Sequence, residues 1–175
     1  MVNSELIILG MIYLKPGHGY ALKKNVKEYF GNPYFKLNNN VLYSTLKNLE
    51  ENGFIEGEEI TGEKINKKIY HITENGKKHL TELIATPAQS GSSDFDFKVQ
   101  AVFFDLISEE RRVKVIKPIY QAKLEIYQEA LEKKKKYGSD MPYFSFKVLE
   151  YGIKELELSL KFYKELIDTQ LTIGS

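Results

Sequence analysis

The sequence predicts a mainly α-helical protein with one small β-hairpin, arranged as an N-terminal winged helix-turn-helix and a C-terminal helical domain. In the first half, three short segments with helical apolar spacing precede two short alternating segments and a fourth helix. The second half holds long helical patterns with little glycine. Between the halves, the stretch "TPAQSGSSDFD" has the composition of a linker. We therefore predict one domain over residues 1–89 and a helical dimerisation domain over residues 90–175.

The composition is that of a folded protein. Of the 175 residues, 42% are hydrophobic and 28% are charged, a balance typical of globular chains. The absence of cysteine excludes disulfides, thiolate zinc sites and thiol nucleophiles. The apolar N-terminal run lacks a preceding basic segment, and no apolar run approaches the ~20 residues that span a bilayer. These features predict a soluble, cytoplasmic protein with no membrane partner.

Local signals define the short elements of the first half. Ser4 is a plausible N-cap for the first helix, which ends at "KPGHG". A second helix is predicted from about Tyr20 to Phe30. The segments "FIEGEEI" and "KKIYHIT" alternate in polarity around a loop containing glycine and asparagine, which predicts a β-hairpin. Thr73 is then expected to cap the fourth helix.

The third helix lies within "NNNVLYSTLKNLEENGFI". Asn39 or Asn40 is the predicted cap, and Gly53 stands where a left-handed residue ends a helix. One face carries the leucines at positions 42, 46 and 49 and is expected to be buried. The opposite face carries Asn40, Ser44, Lys47, Asn48 and Glu51. Such a face is either an ordinary solvated surface or a surface that enters a major groove, where short donors contact base edges.

The charge distribution favours nucleic acid. Formal net charge is only +1, yet residues 15–47 contain six lysines and one acid. The hairpin adds three further lysines, and six glutamates between residues 50 and 63 nearly cancel this excess. The basic part therefore coincides with the helices and wing that would face DNA.

Three segments together resemble the PadR-type transcriptional regulators: "GYALKKNVKEYF", "LYSTLKNLEENGFI" and "KKIYHITENGKKHL". The resemblance covers residues 5–82 strongly, and "FKVQAVFFDLISEERR" is more loosely similar to the helical C-terminal domain of that family. Several members have arginine in the wing, whereas this chain has only lysines, so base-reading residues cannot be copied from relatives. The matching positions are Gly19, Tyr20, Leu42, Tyr43, Leu46, Leu49, Glu50, Gly53, Lys68, Tyr70, Ile72, Thr73 and Gly76.

The resemblance implies a sequence-specific regulator of transcription, a repressor that binds a palindromic operator in double-stranded DNA as a homodimer. It also implies room for a small-molecule effector, although no tryptophan is available to line a pocket. Tyr43 is either an aromatic at the edge of the core or a phosphate contact, and packing is favoured for Tyr70. The candidate DNA contacts are Tyr20, Lys23, Asn39, Asn40, Tyr43, Ser44, Lys47, Asn48, Lys64, Lys67 and Lys68.

The second half is predicted to be a helical hairpin that dimerises. Ser108 should cap its first long helix, Pro118 should kink or restart that helix, and Pro142 should begin the last one. The consecutive apolar residues 6–9 of the first helix offer further surface for a second copy. The last helix carries an apolar stripe of Leu149, Ile153, Leu156, Leu160, Tyr163 and Ile167, which one hairpin is not expected to cover.

Enzymatic chemistry is not predicted. The three histidines are scattered, "GHG" lacks the spacing of a dinucleotide loop, and no nucleophile has a neighbouring base. We therefore expect no catalytic residue, no cofactor and no metal site. The alternative from another class is a winged-helix adaptor that binds protein, and the basic face is the feature that disfavours it.

Overall fold

A computed structural model describes residues 3–31, 37–60, 67–87 and 94–169. The chain forms two compact units, Met1–Ile107 and Ser108–Ser175. Both units are helical apart from one antiparallel hairpin, which confirms the predicted fold class.

The N-terminal unit has the predicted order of three helices, a hairpin and a fourth helix, followed by a short fifth helix. Ile55 pairs with Ile72 at the base of the hairpin, and Ile60 pairs with Lys67 at its far end. The elements are α1 (Ser4–Leu14), α2 (Gly19–Phe30), α3 (Asn39–Glu51), β1 (Ile55–Ile60), β2 (Lys67–Ile72), α4 (Glu74–Ala85), α5 (Asp94–Ala101) and a 3-10 turn (Phe104–Leu106).

Helix α1 is the centre of this unit. Every residue from position 6 to position 12 is buried, because α2, α3, α4 and β2 all pack around it. Gly10 meets the ring of Phe103, and a Cβ there would lie 2.4 Å from Phe103 Cζ. The expectation that residues 6–9 offer surface to a second copy is therefore wrong, because the unit itself covers them.

Two helices begin one or two residues away from the predicted caps. The Asn3 side chain, and not Ser4, accepts from Leu6 N at 3.1 Å. Asn38, and not Asn39 or Asn40, accepts from Asn40 N at 2.9 Å. Neighbouring asparagine and serine side chains have similar capping ability, so the sequence alone does not choose among them.

Three other local predictions are confirmed. Thr73 Oγ1 accepts from Gly76 N at 3.0 Å at the start of α4. Ser108 Oγ accepts from Arg111 N at 3.4 Å at the start of the first long helix. Gly53 has a φ of 71°, the left-handed conformation that favours glycine after a helix.

Helix α5 and the 3-10 turn lie in the N-terminal compact unit, which extends to Ile107. Gln100 is 5% exposed and its amide donates to the carbonyls of Ile84 at 2.6 Å and Thr86 at 2.7 Å. This amide satisfies carbonyls at the end of α4 that have no partner within the helix. Of the predicted linker over residues 86–96, positions 88–93 lie outside the described part of the chain, and Asp94 begins α5.

The C-terminal unit is a helical hairpin of α6 (Glu109–Tyr137) and α7 (Tyr143–Asp168), joined by a 3-10 turn (Gly138–Asp140). Pro142 precedes α7 as predicted. Helix α6 continues through Pro118, so of the two predicted alternatives, a kink or a restart, the restart is wrong. The fully buried Val115 and Ile116 anchor the preceding turn and offset the ~3 kcal/mol that an interior proline costs. No helix among the described residues has the length and apolar character of a membrane span.

Helix α7 carries two apolar stripes, of which one is covered. Ile153, Leu160 and Tyr163 of the predicted stripe are buried, at 8%, 9% and 3% exposure. Leu149, Leu156 and Ile167 of the same stripe are half-buried, so packing of α7 along α6 covers most of this stripe. The uncovered stripe was not predicted, and we call it the α7 outer face: Phe144, Val148, Tyr151, Leu158 and Phe162, which are 80%, 72%, 63%, 71% and 37% exposed.

Candidate nucleic-acid interface

Helix α3 presents one polar face to solvent. Its leucines at positions 42, 46 and 49 are each 1% exposed and fix the orientation of the helix. Asn40, Ser44, Lys47 and Asn48 lie on the side away from these leucines and are exposed. Asn39 and Tyr43 are exposed as well, on the flank of the helix.

Some polar groups on this surface already have partners. Lys23 Nζ donates to Asn39 Oδ1 at 2.7 Å and so joins α2 to α3. Ser44 Oγ donates to the Val41 carbonyl at 3.1 Å, within its own helix. Asn40 and Asn48 differ, because within the described ranges their side-chain amides make no hydrogen bond. These two amides keep both donor and acceptor groups available, as recognition of a base edge requires.

Two exposed tyrosines stand on this side of the unit, Tyr20 at the start of α2 and Tyr43 on α3. Gly19 is buried against the Tyr43 ring, and a Cβ at Gly19 would lie 3.0 Å from Tyr43 Cε1 and 3.1 Å from its hydroxyl. Tyr43 nevertheless stays 55% exposed, so it packs through one face and keeps the other in solvent. Tyr20 is 74% exposed and stacks on His18 at 6.3 Å. Close packing on Tyr43 explains why glycine precedes Tyr20.

The wing lysines fall into different environments. Lys67 is exposed and has no ion-pair partner in the described part of the chain. Lys68 forms an ion pair with Glu50 at 2.7 Å, and this hydrogen-bonded carboxylate raises the pKa of Lys68. Lys64 lies outside the described residues.

Tyr70 on β2 packs within the N-terminal unit, as the sequence favoured. Its backbone N donates to the Gly17 carbonyl at 3.2 Å, and its ring lies 5.7 Å from Lys68 Nζ. Burial is the main cause that raises the pKa of the Tyr70 hydroxyl. Tyr70 therefore connects the turn before α2 to strand β2.

Acidic residues reduce the number of free cations on this surface. Lys24 lies 3.6 Å from Glu28, and Lys47 lies 3.7 Å from Glu51, both as exposed pairs within one helix turn. Counting lysines in the sequence missed this reduction, although the spacing of four residues signals both pairs. The pair of Lys68 with Glu50 spans 18 residues of sequence and has no such signal.

No group of three or more histidine, aspartate or glutamate side chains within the described ranges has the geometry to hold a metal ion. The polar groups of this surface are amides, hydroxyls and ammonium groups, with carboxylates paired to two of the ammonium groups. The chemistry that they offer is hydrogen bonding and charge neutralisation.

Comparison with known proteins finds a family similarity in the N-terminal part of the chain. A model described as "Transcriptional regulator PadR-like family" matches residues 8–82. Residues 8–82 of this chain are therefore similar to the PadR-like family. The match spans α1 to α4 with the wing, which is the region that carries the PadR-type motifs.

Solved structures with similar folds include PadR-like proteins. A crystal structure of Bacillus subtilis PadR in complex with operator DNA is 20% identical, with 93% of this chain and 96% of that chain covered and a TM-score of 0.45. The structure of smu.1604c from Streptococcus mutans is 26% identical, with 97% and 100% covered and a TM-score of 0.44. The PadR-like regulator BC1756 from Bacillus cereus is 24% identical, with 94% and 93% covered and a TM-score of 0.41. A search of curated proteins found no match.

Proposed function

We propose that this chain is a PadR-type transcriptional regulator that binds double-stranded DNA in a sequence-specific manner, as a homodimer on a palindromic operator. The observation that supports this proposal best is the exposed face of α3, where the unpaired amides of Asn40 and Asn48 lie on the side opposite the buried leucines. Amides of this kind can bond the donor and acceptor groups of adenine in the major groove. Repression, with release by a small-molecule effector, is the mode of regulation that the family resemblance implies.

The order of charges along α3 fits a helix whose N-terminal half faces the DNA. Its N-terminal half carries neutral polar residues, and its acids, Glu50 and Glu51, stand at the C-terminal end. In helix-turn-helix docking, the N-terminal residues of the recognition helix contact bases. The flanking cations Lys27 on α2 and Lys67 on β2 are exposed and suit phosphate contacts.

The α7 outer face is the surface that we assign to the homodimer. This face contains positions 144, 148, 151, 158 and 162, and Glu155 lies between them. The successive spacings are four, three, four, three and four residues, so the pattern is the same when the helix is reversed. A two-fold axis with antiparallel helices would bring Phe144 opposite Phe162 of the second copy, and Val148 opposite Leu158. Covering these exposed side chains would bury roughly 600 Å² on each copy, and about 1,200 Å² in total is enough for a specific dimer.

The salt dependence of binding tests the phosphate contacts. Affinity for the chain's own upstream DNA is expected to fall with a log–log slope of about −0.9 per contacted phosphate. Lys67→Ala should weaken binding to all DNA sequences alike and flatten this slope, measured by fluorescence anisotropy over a range of salt. Lys117→Ala, which removes the same charge from exposed α6, is the matched control and should leave the slope unchanged.

An unaltered slope in Lys67→Ala would remove the wing from the interface. Absence of any shift of upstream DNA at micromolar protein would instead support the protein-binding adaptor.

Alanine substitutions on α3 test whether its polar side chains contact base edges. Asn48→Ala is expected to cost about 1–3 kcal/mol on the operator and much less on random DNA. Ser44→Ala should cost less than Asn48→Ala, because the Ser44 hydroxyl already donates to the Val41 carbonyl. The measurement is a competition titration of each variant with operator and scrambled duplexes. An equal loss on both duplexes would make Asn48 a phosphate contact at most.

A further inference from the structure

The side chain of Lys68 crosses the hairpin to reach the end of the recognition helix. Lys68 Nζ lies 2.7 Å from Glu50 Oε1 and 2.8 Å from Glu50 Oε2, so the ammonium group contacts both carboxylate oxygens. Both side chains are partly covered, at 37% and 33% exposure. Strand β2 is thereby tied to the last turns of α3.

Gly57 provides the path for this side chain. A Cβ at Gly57 would lie 1.9 Å from Lys68 Cε and 2.8 Å from Glu50 Oε1. Gly57 pairs with Tyr70 across the hairpin, and the Tyr70 ring lies 5.7 Å from Lys68 Nζ. The Lys68 side chain thus lies between the Glu50 carboxylate and the Tyr70 ring, and it passes over Gly57, which has no side chain to obstruct it.

This arrangement separates the two wing lysines. Successive side chains of a strand point to opposite faces. Because Lys68 lies on the face that meets Glu50, Lys67 lies on the opposite face, where it is exposed. Lys68 would have to leave a two-oxygen contact in order to bind a phosphate, whereas Lys67 makes no such contact within the described ranges.

We infer that Glu50 is a positioning residue for DNA binding, which acts through Lys68 and the gap at Gly57 to hold the wing at a fixed angle to α3. This inference rests on the proposed DNA-binding function. It reassigns Lys68 from the set of phosphate contacts to a link within the protein. Glu50, although acidic and close to the DNA-facing helix, then supports binding and does not oppose it.

The test uses the full chain with Glu50→Gln and with the charge exchange Glu50→Lys with Lys68→Glu. Glu50→Gln is expected to weaken operator binding about tenfold while the salt slope stays that of the unmodified protein. The charge exchange should recover most of this loss, because it restores the ion pair with its partners reversed. Thermal unfolding of each variant checks that the N-terminal unit stays folded.

A second measurement is independent of DNA. The chain has no cysteine, so spin labels at Glu28→Cys on α2 and Glu59→Cys on β1 report one intrachain distance when the labelled chain is diluted with an excess of unlabelled chain. The distance distribution should broaden in Glu50→Gln and narrow again in the charge exchange. Failure of the unmodified chain to bind DNA would overturn the proposed function, and this distance measurement would still decide the positioning role.

Three results would overturn the inference. One is an unchanged distance distribution in Glu50→Gln. Another is tighter DNA binding by Glu50→Gln with a steeper salt slope, which would make Lys68 a phosphate contact that Glu50 restrains. The third is a folded charge-exchange variant that binds no better than Glu50→Gln.

Discussion

Leu158→Asp is expected to convert the protein into a folded monomer that no longer holds its operator. Leu158 is 71% exposed in the single chain, so a carboxylate there leaves the α6–α7 hairpin intact. In the proposed dimer the same carboxylate would be buried without a partner, which is costly. Each half-site would then be bound by one weak module, and operator affinity should fall about 10²-fold or more.

Sedimentation and operator titration measure this effect together. Lys154→Asp is the matched control, since Lys154 is exposed on the same helix but lies outside both apolar stripes. A contrasting change, Leu160→Ala, removes a buried side chain and should destabilise the hairpin by about 2–5 kcal/mol. Sedimentation of the unmodified chain as a monomer at micromolar concentration would contradict the dimer. A dimeric Leu158→Asp variant would remove the α7 outer face from the interface.

Gly76→Ala is expected to lower the free energy of unfolding of the N-terminal unit by about 3 kcal/mol. A Cβ at Gly76 would lie 1.9 Å from the Phe54 carbonyl oxygen, a backbone atom that cannot move alone. That oxygen accepts from Thr73 N at 3.0 Å and from Thr73 Oγ1 at 3.2 Å. Displacing it therefore also disturbs the cap of α4 and the base of the wing.

Urea unfolding of the full chain, followed by hydrogen exchange in α1 and α4, measures this change. Asn75→Ala is the control, because Asn75 is exposed on the same turn of α4 and should change stability by less than ~0.5 kcal/mol. A Gly76→Ala variant as stable as Asn75→Ala would show that the Phe54 carbonyl relaxes without cost. The glycine of the family motif would then need another explanation.

The sequence by itself determined what depends on neighbouring residues. Apolar spacing placed the helices and the hairpin, and Thr73, Ser108 and Gly53 mark boundaries through interactions that span only a few residues. The spacing of three leucines also determined which side of α3 is exposed, and with it the candidate base-reading set. The cap of α3 was misplaced because three consecutive asparagines can serve, and only the packed helix selects Asn38.

The tertiary structure decided what depends on residues distant in sequence. Only the packed unit reveals that α1 is enclosed on all sides, and that Gln100 attaches α5 to the end of α4. Which wing lysine is free depends on Glu50, 18 residues away from Lys68. Both apolar stripes of α7 have the same spacing of three and four residues, so periodicity cannot rank them. Packing against α6 buries one stripe and leaves the other exposed, because a helix in a two-helix hairpin has only one covered face.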